Sequence, residues 1–378
     1  MSAPSGAPAR AAGQPSAVLT VAVKVGGDCY DVVIGAGLLG RLGELVGGSV
    51  GKRGAQAVVV CDEHVAPLYL ERALSALGTA GQRTASIVLP PGEQAKTQVT
   101  LTLLYDRLYE LGVARDDAVV ALGGGVVGDM AGYAAATFLR GVGLVQVPTT
   151  LLAMVDAAVG GKVAVDYREG KNYLGTFYQP RLVVEDPDTL ATLPQREVRG
   201  GWAEVVKQGL LAGGATLELT EAGVARPAVP DARLLEADVR FKAAIVERDP
   251  RETTGARAML NFGHTIGHAI EAAGGFAGYS HGEAVALGLR AALWLSERLA
   301  GLDAREAARG QTLISAAGLP ERLAGVGAAE VARLIARDKK VAAGTAGFVL
   351  LESIGRAVTG VAVPAEMQSE VIAWLMDR

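Results

Sequence analysis

The sequence predicts an α/β protein in two parts: a parallel-sheet domain with helices on both faces, then an all-α domain, with a functional site in the cleft between them. Three observations carry this. From Leu19 to about Leu193, short β-branched runs alternate with helical stretches. Past residue 194 the β-runs fade into Ala-, Leu- and Glu-rich segments of helical period. The length of 378 residues also exceeds what one ordinary core accommodates. The boundaries expected are a disordered tail over 1–18, a sheet domain over 19–194 and a helical domain over 195–378.

In order, "LTVAVKV" and "YDVVIG" are separated by "GGDC", a turn composition that predicts a hairpin. Then come "AVVVCD", a helix over 66–81, "ASIVLP", a helix over 100–112, "DAVVALGG" and "GLVQVPTT". Strand and helix at this rhythm make parallel β-α-β units. The second half offers "GWAEVVKQGLLA", "RLLEADVRFKAAIVERD", "AMLNFGHTIGHAIEAA", "GEAVALGLRAALWLSERLA" and "EVARLIARDKK" as helices, with "EAGVARPAVPDAR" as a Pro-rich surface loop.

Half the residues are hydrophobic, a fifth are charged, and the net charge is -4. This describes a soluble globular protein and argues against a nucleic-acid partner, which requires a concentrated basic surface. Residues 1–17 contain no apolar core for a secretory signal, and the longest uncharged apolar stretch, 141–155, is too short to span a bilayer. Cys29 and Cys61 form no C-x-x-C pair and read as buried thiols in a reducing compartment. A cytoplasmic protein acting on small molecules is expected.

Two segments carry G-x-G-x-x-G spacing: Gly35, Gly37 and Gly40, and Gly123, Gly125 and Gly128. Glycine lets backbone approach phosphate oxygens, and the following helix N-terminus supplies free N–H groups. The first motif has Asp62 at the end of the next strand, where a ribose-binding carboxylate would sit. Against it, a strand paired with its predecessor in a hairpin belongs near a sheet edge. The second follows the strongest strand, carries three consecutive glycines and Asp129, and opens a helix of small residues. Pattern alone favours the second.

Three of the four histidines fall within 18 residues: His264, His268 and His281. Imidazoles converging with a carboxylate make an open three-ligand site that suits a catalytic Zn²⁺. Spacing alone nominates His264 and His268, at i and i+4 on one helical face, with Glu204 as a candidate carboxylate. Arg140, Lys162, Lys171, Lys207, Lys242 and Arg257 lie in otherwise uncharged surroundings, Lys162 and Lys171 in Gly-rich turns. Together they suggest an anionic substrate carrying phosphate and carboxylate.

With "PPGEQAK", "GGGVVGDMAGYAAATFLRGV", "QVPTTLLAMVDAAVGGKVAV", "GKNYLGTFYQP", "GWAEVVKQG", "LNFGHTIGHAIE", "HGEAVALG" and "DKKV" in this order, the chain from about Val21 onward resembles the 3-dehydroquinate synthase family of sugar phosphate cyclases. The resemblance implies a Rossmann-like first domain, a helical second domain, NAD, one divalent metal (Zn²⁺ or Co²⁺) and a homodimer. It implies Glu204, His264 and His281 as metal ligands, with His268 turned over to substrate phosphate. Implied NAD contacts are Asp62, Glu93 and Lys96, the loop Gly125, Val126, Val127, Gly128 and Asp129, then Thr149, Thr150, Lys162 and Lys171, and the turn Thr189, Leu190, Ala191 and Thr192. Asp156, Lys162, Lys207, Arg257, Asn261 and His268 are implied as catalytic. Asn172, Lys242 and one of Lys339 and Lys340 are implied as substrate contacts, and Arg140 as reaching the neighbouring subunit's phosphate. Two departures stand out: His64 replaces a frequent Asn two positions after the ribose aspartate, and "DPRETTGAR" is one residue longer than usual, which bears on Lys242.

The implied substrate is 3-deoxy-D-arabino-heptulosonate 7-phosphate. The implied reaction is transient oxidation at C5 by NAD, elimination of phosphate, re-reduction, and ring opening with aldol closure to 3-dehydroquinate, a carbon–oxygen lyase chemistry. A polyol dehydrogenase of the glycerol dehydrogenase type, another sugar phosphate cyclase, and a non-catalytic NAD-binding module are the alternatives.

Overall fold

The structure, a computed structural model, describes residues 17–377 except 50–53, 169, 226–228, 276–277 and 342–346. The expected tail therefore lies almost wholly outside the described residues. The strands of the first half are β1 (Leu19–Val25), β2 (Asp28–Ile34), β3 (Gln56–Asp62), β4 (Arg83–Leu89), β5 (Ala118–Gly123), β6 (Gly143–Pro148), β7 (Lys162–Tyr167), β8 (Gly170–Phe177) and β9 (Leu182–Glu185). Between them run α1 (Leu42–Ser49), α2 (Glu71–Thr79), α3 (Gln98–Glu110) and α4 (Gly125–Thr137).

Seven strands form one sheet in the order β1-β2-β9-β6-β5-β3-β4. Every neighbouring pair is parallel except the β1–β2 hairpin, which sits at the edge as its turn composition requires. β3 and β5 are Val-rich without alternation because helices cover both sheet faces, whereas edge strand β1 alternates buried and exposed positions. The chain steps outward from β3 to β4 and then returns to β5 on the other side of β3. That reversal opens a crevice beyond the C-terminal ends of β3 and β5, the place where such sheets bind ligands.

Runs 162–167, 170–177 and 182–185 were not expected as strands. β7 and β8 form a separate hairpin, so Lys162 and Lys171 lie on strands and not in turns. Cys61 is buried in β3, but Cys29 is exposed on the edge hairpin, which corrects the expectation for that thiol.

The second half contains α5 (Gln195–Ala212), α6 (Gly214–Val224), α7 (Ala232–Arg248), α8 (His264–Ala273), α9 (His281–Leu299), α10 (Ala304–Ala316), α11 (Ala328–Val341) and α12 (Ala365–Asp377). Its helical character matches the periodicity, with one correction to "all-α": β10 (Phe348–Ser353) and β11 (Arg356–Val361) form an antiparallel hairpin. β10 is apolar enough to bury beside α9, and a six-residue run is too short for its period to be distinguished from helix. One core cluster joins β1, β2 and β9 to α5, α7 and α9, so the two halves share apolar packing. None of the described helices is long and apolar enough to cross a membrane.

Candidate active site

Three helices bring Glu204, His264 and His281 together, and glycines set how closely those helices approach. A Cβ at Gly282 of α9 would lie 2.1 Å from the Gly200 carbonyl of α5, and one at Gly288 would lie 1.9 Å from the Gly263 carbonyl. Gly263 itself has φ 80° and immediately precedes His264 at the start of α8. His281 opens α9, whose N-terminus is fixed by a capping box: the Glu283 N–H donates to Ser280 Oγ, and the Ser280 N–H donates to Glu283 Oε2. Arg196 grips Glu283 through two nitrogens at 2.8 and 2.7 Å, tying this cap back to α5.

Glu204 is fully buried; its Oε2 contacts the Lys207 ammonium, while its Oε1 has no hydrogen-bond partner. Its Oε1 faces His264 Nε2 at 3.5 Å and His281 Nε2 at 3.4 Å. Each imidazole has its Nδ1 occupied on the outer side, His264 by the Phe262 carbonyl and His281 by Glu271 Oε2, both at 3.1 Å. With a cation bound, the remaining proton belongs on Nδ1 in each ring, which aims both Nε2 atoms at the same point as Glu204 Oε1. This donor set fits a divalent cation with room for further ligands. A second grouping, His268, Glu271 and His281, shares His281, but its Glu271 oxygens are already engaged by His281 and Lys171. Spacing alone had paired His264 with His268; tertiary packing brings His281 to Glu204 instead.

Electrostatics around these groups are strong. Burial alone would raise Glu204, but the contacting Lys207 ammonium and His264 outweigh it and hold the carboxyl well below its usual range. His281 is lifted to about 9, because Glu204 and Glu271 overcome the burial that disfavours its cation. His268 presents solvent-accessible surface yet sits within the enclosing cleft. That enclosure, with His264 and His281 nearby, pushes its imidazole down to about 3. The three rings cluster with centroids 5.2–6.1 Å apart.

Beside this centre lies a concentration of cations. Lys242 on α7 contacts both the carbonyl and the carboxylate of Asp156, and Lys207 is buried within reach of the same aspartate's field. Burial would raise Asp156, but Lys242 and Lys207 together lower it. Arg257 Nη1 donates to the carbonyls of Gly160 at 3.3 Å and Pro250 at 3.2 Å, while its buried Nε has no partner. Residues 249–257 form a loop around Asp249, whose carboxylate accepts the N–H groups of Thr253, Thr254 and Arg257. Lys242 and Arg257 therefore both reach the segment 156–160. Asn261 is exposed at the end of a short 3-10 turn that precedes His264. Lys162 is 55% exposed and pairs with Glu252 at 2.6 Å.

The two glycine motifs are resolved by one residue. The Asp186 carboxylate accepts from the Gly37 and Leu39 N–H groups, both at 2.9 Å, so the donors of the first motif are consumed internally. At the second motif, Gly124 precedes α4 without a side-chain cap, leaving the first-turn N–H groups of Gly125, Val126 and Val127 available. Close packing also explains the glycines there: a Cβ at Gly123 would meet Val127 at 2.7 Å, and one at Gly128 would meet Gln146 at 2.9 Å. Asp62 and this loop flank the same crevice, at the ends of β3 and β5. One Asp62 oxygen accepts from the N–H groups of His64 and Val65, and His64 is exposed.

Lys96 is buried and donates to Asp129 Oδ2 at 2.6 Å and to Asn172 Oδ1. Burial lifts Asp129 to about 6 despite Lys96. Lys171 lies 3.1 Å from Glu271 Oε1 and 3.5 Å from Glu93 Oε1. Thr149 is buried with its N–H on Gly123, and Thr150 Oγ1 accepts from Ala153 at 3.2 Å. The Thr189–Thr192 turn, with Leu190 buried and Ala191 exposed, is held by Tyr69.

Arg140 stands apart, exposed with φ 66° at the end of the short turn after α4. Lys339 and Lys340 belong to α11, but their side chains lie outside the described residues. Two acids that sequence reasoning passed over are present: Glu252, with φ 55° on Lys162, and buried Glu271. For Glu271 a signal existed, since "HTIGHAIE" puts it at i+7 from His264 on the same helical face.

Models of the 3-dehydroquinate synthase N-terminal and C-terminal domains match residues 86–200 and 201–341. A 3-dehydroquinate synthase of Caulobacter vibrioides (strain NA1000 / CB15N) is 47% identical over 350 residues, covering 90% of this chain and 94% of the relative. Among solved structures, a 2-deoxy-scyllo-inosose synthase complexed with carbaglucose-6-phosphate, NAD+ and Co2+ superposes with TM-score 0.85 at 28% identity, covering 95% of this chain and 100% of that one. A 2-epi-5-epi-valiolone synthase from Streptomyces hygroscopicus subsp. jinggangensis 5008, with NAD+ and Zn2+ bound, gives 0.83 at 29% identity, covering 92% and 96%.

Proposed function

This chain belongs to the 3-dehydroquinate synthase family, and from that premise we propose that it converts 3-deoxy-D-arabino-heptulosonate 7-phosphate to 3-dehydroquinate and phosphate. The observation that carries the proposal is the convergence of Glu204, His264 and His281 beside the cation-rich segment around Asp156, across a cleft from an uncapped glycine loop. Glu204, His264 and His281 would hold the cation, Zn²⁺ or Co²⁺, and the Gly125–Asp129 loop with Asp62, Lys96 and the Thr189–Thr192 turn would hold NAD. When bound, NAD and the cation supply reversible hydride exchange and Lewis-acid polarisation of a substrate hydroxyl.

The chain's own residues bind and orient. Lys207, Lys242 and Arg257, with His268, Asn172 and Asn261, would hold the substrate's carboxylate and phosphate, since several directed cations in a sheltered cleft neutralise two anions and fix the ring between them. Lys242 already holds an ionised Asp156 carboxylate, so Asp156 sets that ammonium's direction and supplies the cluster with a carboxylate base. His268, kept neutral by its surroundings, can accept a hydrogen bond or proton at Nε2 or Nδ1 from a phosphate oxygen. One of Lys339 and Lys340 would complete the substrate shell.

The finer assignments are parts of the same proposal: domains over 19–194 and 195–378, a cytoplasmic homodimer in which Arg140 reaches its neighbour's phosphate, and no nucleic-acid or membrane partner. Incubation with NAD⁺, a divalent cation and the heptulosonate phosphate should release one equivalent of phosphate with no net NADH, and chelation should abolish it. Absence of phosphate release under metal-replete conditions would refute the proposal, and net NADH accumulation would point to a polyol dehydrogenase.

A further inference from the structure

We propose that Glu271 is a positioning residue for the metal centre and that, through Lys171, it couples cation binding on the helical side of the cleft to nucleotide binding on the sheet side. This rests on Glu204, His264 and His281 holding a divalent cation.

Glu271 lies on α8 and is only 3% exposed. Its two oxygens have separate tasks: Oε2 accepts the His281 Nδ1 proton and Oε1 accepts from Lys171 Nζ, each at 3.1 Å. The first bond selects the tautomer that turns His281 Nε2 toward Glu204. His264 receives the same service from a backbone carbonyl, Phe262 O, two residues earlier in the chain. His281 differs because its outer acceptor is a movable side chain with a charged partner. A carboxylate on the outer nitrogen fixes the ring and raises its basicity as a ligand, and loss of such a partner typically costs 10–100-fold in metal affinity.

The second bond leaves the helical domain. Lys171 is on β8 of the sheet half, and its ammonium also lies 3.5 Å from Glu93 Oε1. Glu93 in turn is 4.0 Å from Lys96, which donates to Asp129 in the first turns of α4. Charges therefore alternate from His281 through Glu271, Lys171, Glu93 and Lys96 to Asp129. They run from the metal ligands to the glycine loop. A nucleotide that orders Lys171, Glu93 and Lys96 also holds Glu271 against His281. Linkage then requires a bound cation to raise nucleotide affinity by the same factor.

The test measures Co²⁺ affinity of the metal-free protein from its visible d–d bands, with and without saturating NAD⁺, and NAD⁺ affinity by calorimetry with and without Co²⁺. In the unaltered protein each ligand should tighten the other by roughly 5–150-fold, the usual range of such couplings. E271Q, close in shape, should weaken Co²⁺ binding by about 10-fold or more without NAD⁺ and alter the d–d bands. K171M keeps the Glu271 carboxylate and should bind Co²⁺ nearly normally while the mutual enhancement by NAD⁺ falls toward unity. E204Q, as control, should abolish Co²⁺ binding. Unchanged Co²⁺ affinity and spectrum in E271Q would overturn the positioning role, and undiminished coupling in K171M would overturn the coupling. If E204Q binds Co²⁺ as the unaltered protein does, the metal-site reading itself fails, and this proposal with it. If E271Q does not fold, E271D, which keeps the charge but shortens the reach to His281 Nδ1, carries the positioning test: unchanged Co²⁺ affinity and spectrum in it would overturn that role, while K171M tests the coupling.

Discussion

Glu185 and Asp238 form a pair whose removal should make the protein more stable. Glu185 ends β9, Asp238 lies on α7, both are fully buried, and none of their four carboxylate oxygens has a hydrogen-bond partner. Burial, and then the Asp238 charge, raise Glu185 well above the ordinary carboxylate range; Asp238 is raised likewise by burial, with Lys207 pulling it back. The folded state thus keeps a proton on Glu185 that the unfolded chain gives up above pH ~4.3. Below that pH both states carry it and Glu185 contributes no pH dependence. Above it, folding stability falls by up to about 1.4 kcal/mol per pH unit until the folded pKa is passed. Glu185→Gln is close to the protonated acid in shape and cannot ionise. It should match the unaltered protein near pH 4 and exceed it progressively as the pH rises, by at most about 3.7 kcal/mol at pH 7, the ~2.7 pH units above the unfolded pKa at that slope. At roughly 2–4 °C per kcal/mol this is a Tm difference of at most about 7–15 °C. Thermal melts of both proteins at pH 5, 6, 7 and 8 measure it. A Tm difference that does not grow with pH, or a Gln variant less stable at pH 7, would refute the reasoning.

Other consequences can be checked directly. Gly288→Ala places a methyl 1.9 Å from the Gly263 carbonyl, so α8 must move off α9, costing about 1–3 kcal/mol or more. Because His264 follows Gly263, Co²⁺ affinity should drop as well; a melt and a cobalt titration report the two effects. Lys96→Met deprives Asp129 of its cation. NAD⁺ affinity should fall about 10-fold or more, in line with loss of a charged hydrogen bond. The Asp129 carboxyl, already near 6, should titrate higher, so any midpoint in NAD⁺ affinity between pH 5 and 8 should move upward in calorimetry. Asp186→Ala leaves the Gly37 and Leu39 N–H groups without their acceptor and should cost about 2–4 kcal/mol in denaturant unfolding.

Much of the site was legible because local pattern and chemistry coincided. The second glycine motif follows a strand buried on both faces and opens a helix, so its spacing had structural support. The first motif had the same spacing and a persuasive Asp62, yet nothing local could reveal that Asp186, some 150 positions away in sequence, fills its donors. Two of the unexpected strands lack a readable pattern: β8 is largely exposed and interrupted by Gly175, and β9 is four residues long, so neither displays a usable period.

By itself, the sequence determined the alternation of strand and helix, the change to helix after residue 194, the edge hairpin, and the presence of imidazoles, carboxylates and lysines suited to a metal and two anions. These follow from side-chain type and short-range period, which are local properties. Only the tertiary structure decided which of those groups meet. His281 reaches Glu204 because Gly282 and Gly288 let α9 lie against both α5 and α8. Glu271 acquires its two partners because α8, α9 and β8 converge at one buried carboxylate. Such meetings depend on packing distances between elements far apart in the chain, and no periodicity within any one of them encodes those distances.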